Sequence, residues 1–436
     1  MASQENAARQ ARPATVGPGL HVFMHGREIA QLRSSREGRA KLTYLEGATQ
    51  ITRGLSCSLP AAGIQYSGER VTNWLGGLLP DRGEVLARWR ATYALKRLDA
   101  YALLWHVGED VAGAARFVRP DHLVDADRSD VTQPLTEEEI GQRIRSLAQD
   151  ATSWSPSEGT GQFSLAGAQA KFALARSADG WVEPSGSLAT THIFKPAIPH
   201  MADQDLNEHL TMRLAHAAGL PVAPTEVVEF DGARTLVVTR FDRYVDAQGS
   251  WHRLHQEDAV QALGIASHRK YESQGGPGVR ELVALLTDNV TGGHRNRDVN
   301  TLLDAVAFNW LTVGTDAHAR NYALLHHGQA TRLAPLYDMN SFLPYASEHP
   351  SHLAMRIGFT QSDPAQVSRS DWGELARDCR VDEEFLIERV RLMAERLLSN
   401  ADAVLLADDA AQWGSELPLR LRHSLAVHIE ACLLRL

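Results

Sequence analysis

Three oxygen-bearing side chains between residues 315 and 338 have the types and spacing that could hold a metal-bound phosphate: Asp316, Asn321 and Asp338. The segment reads Thr315-Asp-Ala-His-Ala-Arg-Asn321, then an apolar run from Tyr322 to Leu325, a turn containing Gly328, and a second run from Arg332 to Tyr337 that ends at Asp338. If the runs pair as an antiparallel hairpin with 327 opposite 332, the same register sets 322 opposite 337 and 321 opposite 338. Asn321 and Asp338 then stand side by side, their α-carbons roughly 5 Å apart and their side chains on one face. Mg²⁺ takes hard oxygen ligands from one or two protein groups and completes its shell with water and phosphate, which such a pair can supply. Asp316 lies five residues before Asn321, the spacing at which a catalytic loop sets an Asp to accept a substrate hydroxyl proton and an Asn to hold metal. Turns also favour Asp and Asn, so each residue alone has a purely structural reading. Loop, spacing and register together point to phosphoryl transfer.

The elements that must position these groups follow from apolar spacing. A helix predicted over 298–313 carries Leu302, Leu303, Val306, Phe308, Trp310 and Leu311 and is closed by Gly314, which places Asp316 on a loop mounted on a buried helix. A base that must come within hydrogen-bond reach of a hydroxyl needs such a mount. Lys195 ends a strand that starts at Thr190, and Pro196 stops the ladder, leaving the ammonium free for phosphate oxygens with Glu208 on the next helix as its partner. A solvated lysine at a strand end is the alternative. The loop Pro156–Lys171 contains Gly159, Gly161 and Gly167, whose backbone N–H groups can approach phosphate, but it matches neither the P-loop nor the Rossmann glycine pattern. His318, between two alanines, reads as orienting the loop or polarising phosphate.

The chain opens with strand patterns at 21–30 and 40–45, followed by apolar positions at helical spacing from 84 to 107 that Gly108 ends. A capping box, Thr136 with Glu139, starts a helix inside a boundary region spanning about 120 to 158. Strand candidates then follow at 169–175, 190–195, 225–230 and 234–241, the last two joined by Asp231-Gly232. The helix between them is expected to start at Asp205 with Glu208 in a capping box and to stop at Gly219 before Pro221. A β-sheet carrying one helix has the shape of a nucleotide-binding lobe. Beyond 255, helical periodicity covers 279–288, 298–313, 371–380, 383–406 and 417–435. The resulting division is an N-terminal extension, 1–20, expected to be disordered; a β-rich subdomain, 21–155; a nucleotide-binding lobe, 156–245; and a helical catalytic lobe, 246–436.

Composition narrows the function classes. At 436 residues the chain is too long for one simple core. Its 44 basic residues against 53 acidic ones argue against coating nucleic acid by charge alone. The three cysteines, Cys57, Cys379 and Cys432, are too far apart for a disulfide framework or a sequence metal motif, and no H-E-x-x-H pair occurs, so a reducing compartment is expected and zinc is disfavoured. Residues 1–19 lack an apolar signal core, and no run of 18 apolar residues occurs, so neither secretion nor membrane spanning is expected.

Several stretches, taken together, resemble the HipA toxins, serine/threonine kinases of bacterial type II toxin–antitoxin systems. They are Ser164-Leu-Ala-Gly-Ala-Gln-Ala-Lys171, Thr191-His-Ile-Phe-Lys195, Asn207-Glu208, Arg240-Phe-Asp-Arg243, Gln256-Glu-Asp258, Lys270 to Gly278, Thr315 to Asn321 and Tyr337-Asp338, in the family's order, with Leu78-Leu-Pro-Asp81 similar to its N-terminal subdomain. The resemblance implies an α+β, bilobal protein-kinase-like fold with a β-rich N-terminal subdomain, a mixed nucleotide-binding lobe and an all-helical C-terminal lobe. It implies ATP and Mg²⁺ as cofactors, Lys195 on the nucleotide phosphates, Asp316 as catalytic base, Asn321 and Asp338 as metal ligands, and Thr239-Arg240-Phe241 as the hinge that meets adenine. It also implies that Ser164 is autophosphorylated as an off-switch, that the target is an aminoacyl-tRNA synthetase in the bacterial cytoplasm, and that a HipB-like helix-turn-helix antitoxin mediates contact with operator DNA. Departures are His255 where the family has Pro and Ala317 where Gly is frequent. Two rival readings are a small-molecule kinase of the aminoglycoside-phosphotransferase type, which shares the Asp-x-x-x-x-Asn loop, and a catalytically silent co-repressor acting with an antitoxin.

Overall fold

The computed structural model describes residues 19–35, 37–125, 132–153, 164–184, 187–198, 201–345, 351–358 and 362–436. The expected disordered extension lies outside them up to residue 18, as do Gly159 and Gly161 of the proposed phosphate loop.

Alternation of apolar and polar residues sets the first sheet. Leu20, Val22 and Met24 all turn inward from one strand, the period-two pattern of a half-buried strand. Five antiparallel strands lie in the order Gln65–Ser67, Ala40–Tyr44, Arg27–Ser34, Leu20–Met24, Arg116–Val118. The helical pattern over 84–107 is two helices, Gly83–Thr92 and Ala100–Val107. Ala94 adopts a left-handed φ of 49°, and Asp99 caps the second helix by accepting from the Ala102 amide at 2.9 Å. A local cap and a left-handed residue override continuous apolar spacing.

The second sheet has six strands, Thr225–Phe230, Ala233–Thr239, His192–Lys195, Phe172–Ser177, Gly180–Pro184 and Thr132–Pro134 in spatial order. Gly180–Pro184 was not anticipated from sequence, and the strands expected from 169 and 190 begin at Phe172 and His192. Thr136 and Glu139 form the expected capping box of helix Glu137–Gln149, which contacts Thr225–Phe230 and Ala233–Thr239. Elements on both sides of residue 155 therefore serve this sheet. Val237 joins one hydrophobic core with the N-terminal sheet, while Leu236 and Val238 join another with the helical lobe. Side-chain alternation thus lets one sheet bind both halves of the molecule.

Helix Gln204–Ala217 starts one residue earlier than expected and without a capping box: Asp203 holds the N-cap in the left-handed region, and Asp205 pairs with Arg234 instead. Its side chains Leu206, Leu210 and Leu214 are buried against the sheet and the helical lobe. The lobe itself contains the helices Val279–Asn289, Arg295–Leu311, Arg369–Cys379, Glu383–Leu405 and Leu417–Leu433.

The hairpin register differs from the sequence reading. His327 pairs with Ala330 and Leu324 with Leu333, because a two-residue turn with Gly328 at φ 58° closes the hairpin. Continuing that register would set 321 opposite 336, so Asn321 and Asp338 are not ladder partners. The chain leaves the hairpin at Ala334, whose amide donates to Ala323 O, and Leu336 bridges to Val222.

Helix Arg295–Leu311 ends in a Schellman turn. Val313, not Gly314, takes the left-handed position, at φ 53°, and the Gly314 amide donates to Asn309 O at 2.7 Å. A β-branched residue is strained in that region. Gly314 is required for a different reason: a Cβ there would sit 2.5 Å from Asn309 Oδ1. Gly314→Ala is therefore expected to lower stability by about 1–3 kcal/mol, measured as a shift of the urea unfolding midpoint; an unchanged midpoint would show that Asn309 yields freely.

Candidate active site

A cleft of about 530 Å³ runs between the six-stranded sheet and the helical lobe, a volume typical of small-molecule sites. Lys195, Asp316, His318, Asn321 and Asp338 line it. Gly167, Thr239 and Phe241 line it too, while Glu208 and Ser164 stand behind its walls.

Lys195 is the meeting point of sheet, helix and loop. Its Nζ lies 2.7 Å from Glu208 Oε1 and 2.7 Å from Asp338 Oδ1. Burial opposes its charge, but the Asp338 and Glu208 carboxylates outweigh burial and hold its pKa above the ordinary lysine range. Burial likewise works against ionised Asp338, yet Lys195 and then Lys171 pull it well below the usual carboxylate range. Glu208 is enclosed behind Lys195, and burial pushes its carboxyl upward against that lysine's pull. Asp338 occupies the left-handed region at φ 58°, which a short polar side chain tolerates.

The loop before the hairpin is built by backbone bonds. The His318 amide donates to Asp316 O at 2.7 Å and the Asn321 amide to His318 O at 2.9 Å. Asn321 Nδ2 donates to Asp316 O at 2.8 Å, which leaves the amide oxygen as its free end. The Asp316 carboxylate accepts from the Tyr271 hydroxyl, and its side chain is 56% exposed, so a substrate group can reach it. Burial and then Asp316 push the Tyr271 hydroxyl up, so it stays a donor. His318 Nε2 is 3.9 Å from Asp316 Oδ1, and burial lowers the ring's pKa, keeping it neutral. Its Nδ1 has no hydrogen-bond partner.

Arg320, unremarked in the sequence, anchors this loop. Its guanidinium reaches Asp258 Oδ2 at 2.9 Å, Gly77 O at 2.8 Å and the Asp81 carboxylate. Tyr337 donates to its carbonyl at 2.6 Å. Lys270 completes the cluster, 2.8 Å from Asp81 Oδ2. These residues fall in the quoted stretches but far apart in the chain, so spacing alone gave them no role.

Ser164 is fully buried. Its Oγ donates to Leu78 O at 2.8 Å and its amide to Asp110 O at 2.9 Å. Gly167, at φ 111°, bridges to Pro80 and accepts from the Asp81 amide at 3.1 Å. Lys171 Nζ donates to Ala166 O at 2.7 Å, and burial, then Lys195, draw its pKa down to about 8. In the segment 239–241, the Thr239 amide donates to Pro224 O and the Arg240 amide to Thr191 O. The Phe241 and Tyr337 rings lie 5.0 Å apart.

Residues 163–402 match the HipA-like C-terminal domain and residues 20–118 the HipA N-terminal domain. A Sinorhizobium fredii protein named "Putative kinase Y4mE" is 35% identical over 389 residues, which cover 88% of this chain and 90% of that protein. The serine/threonine-protein kinase toxin HipA of Shewanella oneidensis is 30% identical over 356 residues, 79% of each chain. Among solved structures, a chain of the Shewanella oneidensis toxin–antitoxin complex of HipA, HipB and operator DNA aligns with a TM-score of 0.81 at 25% identity, over 95% of this chain and 97% of that one.

Lys195→Met strands two carboxylates and is expected to lower stability by about 3–5 kcal/mol at pH 7. The depressed Asp338 contributes stability that is complete above the ordinary pKa of 3.8 and is lost as pH falls below it. The raised Lys195 contributes stability that is complete below 10.5 and is lost as pH rises further. The gap between parent and variant urea midpoints should thus be widest between about pH 5 and 10 and close in acid. A gap independent of pH would contradict the ionised arrangement.

Proposed function

Because the chain belongs to the HipA family, we propose that it is an ATP-dependent serine/threonine protein kinase acting as the growth-inhibiting toxin of a toxin–antitoxin pair. The observation that carries this reading is one cleft that brings together a carboxylate-held lysine, an accessible Asp316 and the side chains of Asn321 and Asp338.

Lys195 contacts the nucleotide phosphates, and Glu208 keeps the ammonium in place when phosphate oxygens compete with Asp338 for it. The free amide oxygen of Asn321 and the ionised Asp338 fit a hard cation. Mg²⁺ held there would neutralise charge on the phosphates. Asp316 takes the proton of a serine or threonine hydroxyl as that oxygen attacks the terminal phosphorus of ATP, and ADP leaves with the electrons of the broken P–O bond. The Tyr271 hydroxyl and the His318 backbone amide hold Asp316 in position. Adenine meets the Thr239–Phe241 segment through groups other than the Thr239 and Arg240 amides, which are already engaged.

Autophosphorylation of Ser164 would silence the enzyme. A phosphate adds nearly two negative charges and three acceptor oxygens, and a fully buried serine bonded to a carbonyl has no room for them. The segment would leave its seat and take Gly167 and Lys171 out of the cleft wall. The protein substrate is an aminoacyl-tRNA synthetase, as the family resemblance suggests, in the bacterial cytoplasm. No helix among the described residues is long and apolar enough to cross a membrane. A HipB-like antitoxin binds the toxin and carries most of the contact with operator DNA, a division that suits a chain of net charge −9.

Incubating the protein with labelled ATP and a cell lysate tests the reaction. A labelled protein band is expected, weaker by at least about 100-fold with Asp316→Ala; ATP consumption without a labelled protein would favour a small-molecule kinase. In cells, Asp316→Ala should relieve growth inhibition, and equal inhibition by parent and variant would favour a silent co-repressor. Protein purified from cells should carry phosphate on Ser164, absent from Asp316→Ala; phosphate still present in that variant would exclude autophosphorylation.

A further inference from the structure

Where the N-terminal domain meets the catalytic lobe, ligand atoms of Cys57, Glu257 and His326 all lie within 4.8 Å of one another. They come from three segments: the turn between Gly54–Ser56 and Leu59–Pro60, strand His255–Asp258, and strand Ala323–His327. Glu257 stands opposite Leu324, so His326 is its diagonal neighbour on the same face. Separations of 200 and 69 residues hid this group from any reading of cysteine or histidine spacing.

Hydrogen bonding leaves the cluster incomplete. Glu257 Oε1 accepts from the Cys57 amide at 2.8 Å and lies 3.0 Å from His326 Nε2. Glu257 is wholly buried; the Ser56 hydroxyl approaches its carboxylate, but Oε2 makes no well-formed hydrogen bond. A carboxylate oxygen sealed from water with so weak a partner is costly, and a bound cation is one of the few remedies. His326 Nδ1 lies 3.0 Å from Thr331 Oγ1, the outer hydrogen bond that turns the opposite nitrogen of a metal-binding histidine toward the ion. His255 is excluded as a further ligand, because its Nε2 and Nδ1 are engaged with Leu55 O and the Ala114 amide.

An entry route exists. Cys57 is only partly buried and lines a surface groove of about 470 Å³ that also holds Glu281 and Asp288. Charge in the groove is mixed, because Arg70 also lines it and Glu281 pairs with Arg280, so it gives the ion a path without steering. One thiol, one imidazole and one carboxylate suit Zn²⁺, whose bonds of about 2.0–2.3 Å require ligand separations of roughly 3.3–3.8 Å. Small side-chain shifts would be needed to reach that closure from the present 4.8 Å limit.

We propose that Cys57, Glu257 and His326 bind Zn²⁺, with the fourth position open to water from the groove, and that this ion fastens the N-terminal domain to the catalytic lobe. Without metal, burial and then the Glu257 carboxylate push the Cys57 thiol up, so it is protonated. Ion binding would release that proton to solvent. The site is separate from the nucleotide cleft, but Glu257 adjoins Asp258, which holds Arg320.

The test uses the full chain without a histidine tag, loaded with Zn²⁺ or Co²⁺ and freed of excess by gel filtration. One retained equivalent of Zn²⁺ is expected, with a thiolate-to-cobalt charge-transfer band in the Co²⁺ form. Cys57→Ser should abolish that band and weaken Zn²⁺ binding by more than about tenfold, whereas Asp338→Asn should keep both. Zn²⁺ should also slow alkylation of Cys57 in the parent chain, a readout that needs no variant. Retention of no equivalent, or equal retention by parent and Cys57→Ser, would overturn the proposal, as would alkylation unaffected by Zn²⁺.

Discussion

One ammonium, that of Lys195, sets the frame for the cleft. It is buried between a carboxylate from the lobe helix and one from the segment after the hairpin, so strand, helix and catalytic lobe share a single charge balance. Removing any member of a buried ionic group leaves the others uncompensated, a larger loss than the group's own net contribution. Lys171 stands close enough to act on Lys195 and Asp338, and two lysines then face two carboxylates. Further negative charge entering such a site would require a cation of its own.

The N-terminal domain is built into the wall of the cleft rather than appended to it. Asp110 receives Thr190, Arg243 and Arg253, and Arg240 joins the same buried network through Asp242, Thr190 and Val111 O. The backbone carbonyl of Asp110 accepts from Ser164, so the segment 240–243 and the serine segment are referenced to one carboxylate-bearing residue. Arg320 does the same for the loop bearing Asp316 through Gly77 and Asp81. With each fixed point a polar contact in a dry environment, geometry is held more strictly than apolar packing alone would hold it.

Much of this was legible in the sequence where the signal is local. The capping box at Thr136, the strand Thr225–Phe230 and the long helices of the catalytic lobe follow from residue type and period. The pairing of Lys195 with Glu208 followed from a strand end facing the next helix. The hairpin register did not, because the sequence cannot distinguish a two-residue turn from a four-residue one when both contain Gly328. Asn321 and Asp338 still reach one cleft, but through a 3₁₀ turn and a crossing to Val222 instead of a shared ladder. The helix expected over 84–107 broke at Ala94, where apolar periodicity carries no warning. Arg320, Asp81 and the Cys57 cluster were invisible for another reason: their partners lie more than 60 residues away in the chain, beyond the reach of any periodic pattern.

The three-way grip of Arg320 also imposes an order on biogenesis. Gly77, Asp81 and Asp258 are synthesised long before residue 320, and domains form as units from the amino end during translation. Because Asp258 lies on a strand that pairs with Ala323–His327, the amino-terminal part can prepare only the Gly77 and Asp81 side of the seat before the guanidinium arrives. Until it docks, the loop bearing Asp316 lacks this anchor, so the cleft wall is completed late in synthesis.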